Sequence, residues 1–221
     1  MNRKLTAILL IAAAVLTNVA FTALGSIFNY PDILKEPVED ILAAFRASEP
    51  AIVAGFTVMA LSAALFAPIA IGVGRLSRHP AMRAAVPVGI AAAVVQVVGL
   101  SRWPILVPGY ADRNDLHAFE TAHRVLGTII GETMGYALTA AWTILVLIGL
   151  GRTLAGRWFT ALGGVSAVLI LLGVVSPLGW PGVDTANFAG YVLWSLWLIA
   201  FAVLLLRRPA ADRIPAGAVA R

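Results

Sequence analysis

The chain has 221 residues, of which 60% are hydrophobic and only 12% charged, with a mean hydropathy of +0.90. A soluble domain carries charge at roughly a quarter of its positions, so this surface faces something other than water. The formal charge of +5 comes from short basic clusters between apolar runs, the pattern of topology signals and not of a phosphate-tracking stripe, which excludes nucleic acid as a partner. There is no cysteine, which removes disulfides, thiolate metal sites and cysteine nucleophiles.

Six apolar segments follow in chain order: Leu5–Phe28, Ala51–Gly74, Ala85–Val107, His123–Leu150, Ala155–Val175 and Thr185–Leu206. A helix needs about 20 apolar residues to cross the hydrocarbon core, and each segment reaches that length. Sustained alternation, the mark of half-buried strands, is absent from the sequence. The predicted fold class is all-α: a polytopic bundle of six transmembrane helices, one domain over 1–208, with a disordered cytoplasmic tail at 209–221. The first segment has Arg3 and Lys4 in front of it and a small-residue stretch at Ala23-Leu24-Gly25, as a signal peptide would. Its apolar run is longer than the usual ~7–15-residue signal core, so it reads as a retained helix.

Orientation follows from Lys and Arg. With the N-terminus inside, the cytoplasmic set is Arg3, Lys4, Arg75, Arg78, Arg83, Arg152, Arg157, Arg207, Arg208, Arg213 and Arg221. The outer set is Lys35, Arg46, Arg102, Arg113 and Arg124, so the bias is 11 against 5. Of the 11 acids only Asp212 is clearly cytoplasmic. The expectation is a multi-pass inner-membrane protein, both termini cytoplasmic, with the lipid bilayer as its main partner.

The first outer segment holds an amphipathic helix at about 31–47. Ile33, Leu34, Val38, Ile41, Leu42 and Phe45 recur at helical spacing, opposite Asp32, Glu36, Glu39 and Asp40. Pro37 suits a first-turn position. This piece is expected to lie on the outer leaflet or to cap the bundle. In the second outer segment, Pro108–Ala122, Asn114 or Asp115 is a natural N-cap for the fourth helix. Trp103, Trp158 and Trp180 sit near helix ends, where interfacial anchors belong. Pro104 and Pro108 are expected to break or kink the end of the third helix.

The chemistry concentrates after Asp115. His117, Glu120 and His123 are spaced three apart, and neighbours at that spacing touch on a helix. Two imidazoles and a carboxylate could ligate a divalent metal. Glu120-x-x-His123 has the spacing of di-metal carboxylate bundles, but no second such motif accompanies it. No cofactor is predicted; a divalent metal is the one candidate, against the plainer reading of three solvated residues. Haem often takes two inward histidines, and only His123 stands near the membrane on a helix.

Glu132 lies about 13 Å further along the helix axis than His123, well into the hydrocarbon region. An unpaired charge there costs at least ~2.5–3.5 kcal/mol, so Glu132 should face the bundle and have a partner. The candidates are Arg102, Gln96, Asn18 and Tyr136. On a straight α-helix His123 points the opposite way, since nine residues turn it by about half a revolution. The plainer reading is a protonated Glu132 in a structural interhelical hydrogen bond. Arg102 pairs with Glu132 or Glu120, or snorkels to the headgroups. Gly127, Gly131 and Gly135 form two overlapping G-x-x-x-G units, a packing signal within the chain or between copies in a homo-oligomer.

Several of these residues also carry a likeness. Asn29-Tyr30-Pro31-Asp32-Ile33-Leu34 with Glu36-Pro37, Arg102-Trp103-Pro104, Phe119-Glu120 with His123, and Gly131-Glu132 with Gly135-Tyr136 resemble an uncharacterised family of bacterial membrane proteins, the domain of unknown function DUF4386. The resemblance is weaker in the last two helices. The segment between Arg-Trp-Pro and Phe-Glu is short for that family, so no lid-like role is carried over. The resemblance implies a six-helix inner-membrane fold and no assigned activity or catalytic residue.

Three functions fit the residues. The preferred one is a non-enzymatic protein that binds or passes a small ligand, ion or proton through an outward-facing polar site. That site comprises Glu132, Arg102, His123, Glu120, Tyr136 and Gln96. The second is a metal-dependent membrane enzyme at the outer leaflet, using His117, Glu120 and His123. The third is a structural or assembly partner of another membrane protein.

Overall fold

The computed structural model describes residues 2–151, Leu154 and residues 156–207. The expected tail at 209–221 lies outside the described residues, as do Arg152 and Arg208. The described chain is all-α, and six helical stretches are long and apolar enough to cross a membrane: Arg3–Phe28, Glu49–Gly74, Pro80–Arg113, Leu116–Leu150, Arg157–Leu178 and Val183–Arg207. They contain the predicted segments except at the start of the fifth, where the helix begins at Arg157 and the predicted Ala155 lies outside the described residues; the third and fourth extend beyond the prediction by polar turns. The predicted fourth segment starts at His123, but the helix starts seven residues earlier because Asp115 caps it, accepting from the Ala118 N–H at 3.1 Å. Asn114 instead adopts the left-handed conformation that ends the helix Val107–Arg113.

The spans form a ring in chain order. Each packs on its neighbours in sequence, and the sixth closes on the first. Asn18 reaches Ser195 and Phe21 packs on Phe188, so the first and last spans run antiparallel. Arg3 and Arg207 therefore lie at one end, called proximal here. The connections at residues 29–48, 106–115 and 179–182 lie at the other, distal end. Large apolar side chains such as Ile8, Val19, Leu61, Ile148 and Val168 point outward, as a lipid-facing surface requires.

The interior divides into two main apolar clusters. The proximal one packs Trp142, Trp197, Phe159 and Phe201 with Ala and Leu from five of the spans. The distal one is centred on Trp103, which stacks on Phe56 at 4.6 Å and packs against Phe28, Phe45 and Phe119. Trp103 is fully buried, so it is a core residue and not the predicted interfacial anchor; Trp158 and Trp180 are exposed. The third helix runs through Pro104 to Ile105 and breaks only at Leu106.

The distal cluster is closed by the first loop. The single helix predicted at 31–47 is two pieces, a 3₁₀ turn Asp32–Lys35 and a helix Val38–Ala47. Pro37 separates them: Glu36 before it is held extended, and Pro37 becomes the residue preceding the second helix. Asp32 and Glu36 consequently do not belong to the polar face of that helix. Ile33, Ile41, Leu42 and Phe45 are buried, so this segment caps the bundle. Arg46 ties the cap to the second distal connection, donating to the Ala111 carbonyl at 3.1 Å and to Asn114 Oδ1 at 3.3 Å.

Candidate functional site

Beneath that cap, Arg102 is only 5% exposed, which rules out the snorkelling geometry for it. Its guanidinium lies over the Trp103 ring at 5.3 Å, a cation–π arrangement. One Nη donates to the Gly99 carbonyl and the other lies 3.3 Å from His123 Nδ1. A guanidinium only donates, so Nδ1 accepts, and His123 is neutral with its proton on Nε2. His123 also stacks flat on Phe119, with ring centroids 5.8 Å apart. Arg102 Nε is buried without an acceptor.

Gly127 makes room for this charge. A Cβ there would stand 2.7 Å from Arg102 Nη2 and 2.8 Å from Cζ. The ridge continues down the third span: Gly131 meets Gly99 backbone to backbone, and Gly135 faces Gln96. All three glycines of the predicted ridge thus pack on the chain's own third helix. Gly99, its counterpart, escapes sequence reading because a lone glycine forms no motif.

The fourth span is not the straight α-helix assumed from the sequence. His123–Met134 is a π-helix of 12 residues, bonded i→i+5. Such a helix has about 4.4 residues per turn, so nine residues make about two turns and not the two and a half of an α-helix. The expectation that His123 and Glu132 point opposite ways is therefore overturned: Glu132 returns to the face that His123 presents to Arg102. π segments are frequent at functional sites, because they re-aim side chains without breaking the helix.

Arg102 and Glu132 are within electrostatic range of each other, yet no ion pair or hydrogen bond joins them. Among the described residues Glu132 has no hydrogen-bonding or ion-pair partner at all. Tyr30, from the start of the first loop, is a third member that sequence reading missed. It packs between Phe21 and Phe56, and burial pushes its phenol well above the ordinary range; Glu132 reinforces that shift and Arg102 opposes it. Its only sequence signal is its place in the Asn29-Tyr30-Pro31-Asp32 run.

The remaining candidates separate. Gln96 donates to Thr139 Oγ1 at 3.1 Å, about two turns below Glu132. Thr143 continues this polar line, accepting from the Trp194 indole N–H at 2.9 Å. Tyr136 packs edge-on against Tyr191. Asn18 is not a partner of Glu132, since it faces outward and bonds the Ala14 carbonyl and Ser195. His117 and Glu120 are exposed on the turn Leu116–Ala122, whereas His123 is half-buried against Arg102. No three His, Asp or Glu side chains among the described residues converge on a position where a metal ion could be held.

The architecture defines a multi-pass membrane bundle with a capped cluster of ionisable groups around a buried arginine in its distal half. A family model described as Domain of unknown function (DUF4386) matches residues 5–202, and the chain belongs to that family. No curated protein and no solved structure matches it.

Proposed function

We propose that the chain binds or passes a small ligand, ion or proton through the Arg102–Glu132 cluster, with Glu132 as the group that exchanges a proton. The observation that carries this reading is the unpartnered Glu132 carboxylate at membrane depth, held near a buried arginine but not paired with it. An intramembrane acid kept for structure alone should be locked in a hydrogen bond, because an unsatisfied polar group in hydrocarbon costs several kcal/mol, about what a lost bond there costs. Two features support the same reading: the π turn that aims Glu132 at Arg102, and the polar line through Gln96, Thr139 and Thr143 below it.

The excess of Lys and Arg assigned to the proximal end supports an orientation of the cluster toward the outside of a bacterial inner membrane, with both termini cytoplasmic. Arg102 supplies fixed positive charge, and His123, neutral, holds it in place. The test uses proteoliposomes with a trapped pH dye under an imposed potential. Proton uptake above that of empty vesicles, reduced at least tenfold in Glu132→Gln, is the expected result. In parallel, the carboxyl C=O infrared band that disappears in Glu132→Gln should respond to external pH in the wild type. A wild type indistinguishable from empty vesicles, together with a carboxyl band that ignores pH, overturns the reading.

A further inference from the structure

A second polar feature lies at the distal surface, apart from the tie through Arg46. The first loop and the connection between the last two spans enclose a cleft of about 490 Å³, lined by Lys35, Ser176, Trp180, Pro181, Asp184 and Thr185. Small-molecule sites commonly fall between about 300 and 1,000 Å³. Gly179 and Gly182 both have positive φ, which turns the connection back on itself and leaves the Trp180 ring exposed at the rim.

The charges in this cleft are ordered. Asp184 Oδ1 accepts from the Ser176 hydroxyl, which fixes the carboxylate. Its Oδ2 lies 3.1 Å from Lys35 Nζ, and Lys35 is held on the other side by Asp32 at 3.2 Å. An ammonium already occupies the place in front of Asp184, on a flexible four-carbon stem. All three charged side chains are more than half exposed, and exposed pairs of this kind are weak and readily exchanged. Trp180 adds an aromatic ring to the lining of the same cleft, and aromatic faces attract ammonium groups.

We propose that this cleft is a binding site for a zwitterion that joins an ammonium to a phosphate or similar anionic oxygen group. The ligand's ammonium replaces that of Lys35 at Asp184 and Trp180, and the released Lys35 takes the anionic end. A simple anion is disfavoured by the two carboxylates. A simple amine leaves Lys35 to Asp32 alone, beside a like charge that no second anion screens. A ligand bearing both charges satisfies both side chains. The site lies at the distal ends of the last two spans, so the same chemistry is available from an aminophospholipid or from a free solute. Nothing in this inference depends on Glu132.

Glycerophosphoethanolamine, ethanolamine and glycerol 3-phosphate are titrated separately into the intact protein in maltoside detergent. The readout is the Trp180 emission, taken as the difference from Trp180→Phe. Saturable binding is expected for glycerophosphoethanolamine, at least tenfold tighter than for either half molecule, and weakened at least tenfold in Lys35→Ala and in Asp184→Asn. These exposed positions leave the fold intact, which a cooperative melting transition close to that of the wild type checks. Nanodiscs of phosphatidylethanolamine and of phosphatidylglycerol then distinguish the source. Loss of the soluble probe's signal only in the former identifies a lipid headgroup, and retention in both identifies a free solute. No saturable signal, equal affinity for ethanolamine or glycerol 3-phosphate, or variants that bind like the wild type each overturn the proposal.

Discussion

The two halves of the interior are both built on tryptophan, yet they solve different problems. The proximal half surrounds Trp142 and Trp197 with Phe159, Phe201 and small aliphatic residues, and carries no charged group in its core. The distal half surrounds Trp103 with four phenylalanines and sets Arg102 directly on the indole. A charge inside a membrane protein needs partners and exclusion of lipid, and in the distal half the cap Val38–Ala47 supplies the second. The comparison locates the unusual chemistry of this chain: it sits where an aromatic platform, a glycine ridge and a cap coincide.

Substitutions at matched positions probe that contrast. Gly131→Leu is expected to have the largest effect, because even a Cβ would stand 3.0 Å from the Gly99 Cα. Folded protein should vanish from size-exclusion profiles. Gly164→Leu, on the fifth span where a Cβ meets nothing within 4 Å, should elute as wild type. Next comes Trp103→Ala. Truncating a buried Trp costs about 3–5 kcal/mol, so Trp142→Ala should fall in that range. Trp103→Ala should exceed it by about 0.5–2 kcal/mol, since Arg102 also loses its ring. Reversible unfolding in mixed micelles measures both, and equal losses would mean that the stacked cation contributes nothing.

Gln96→Leu should cost only about 0.6 kcal/mol, the mean for interhelical hydrogen bonds in membranes, and should leave the distal half folded. The smallest effect belongs to Lys35, whose amine is held above its ordinary value by its bond to Asp184 and then by that to Asp32. A raised folded-state value means that the stabilisation is complete below the unfolded amine's pKa of about 10.4 and is lost as pH rises through the folded value. The melting difference between wild type and Lys35→Ala should therefore be below about 1 kcal/mol at neutral pH and disappear in strong alkali. A difference that grows with pH would contradict the assignment.

The spans were legible because membrane helices announce themselves by length and apolarity, and the family assignment follows from motifs spread over most of the chain. The glycine ridge was legible as a ridge, and Arg102 and Glu132 were legible as costly residues that needed an explanation. The arrangement between them was not. Whether Trp103 anchors at the interface or fills a core depends on a cap folded from a distant segment. The turn that brings Glu132 round to the side of His123 depends on backbone bonding, which composition does not encode. Lys35 and Asp184 are separated by most of the chain, and no periodicity links them.

The wide turn of the fourth span also bears on how chain length can vary. Twelve residues bonded i→i+5 complete about 2.7 turns, which an α-helix completes in about ten residues. Losing two residues between 123 and 134 could thus be absorbed by tightening the coil, with Thr139, Trp142 and everything below still facing as before. Losing one could be absorbed in the same way, by tightening about half of the stretch. Among relatives, one or two residues fewer in this stretch should therefore leave the lower half of the span facing as it does here, a tolerance that a plain α-helix lacks.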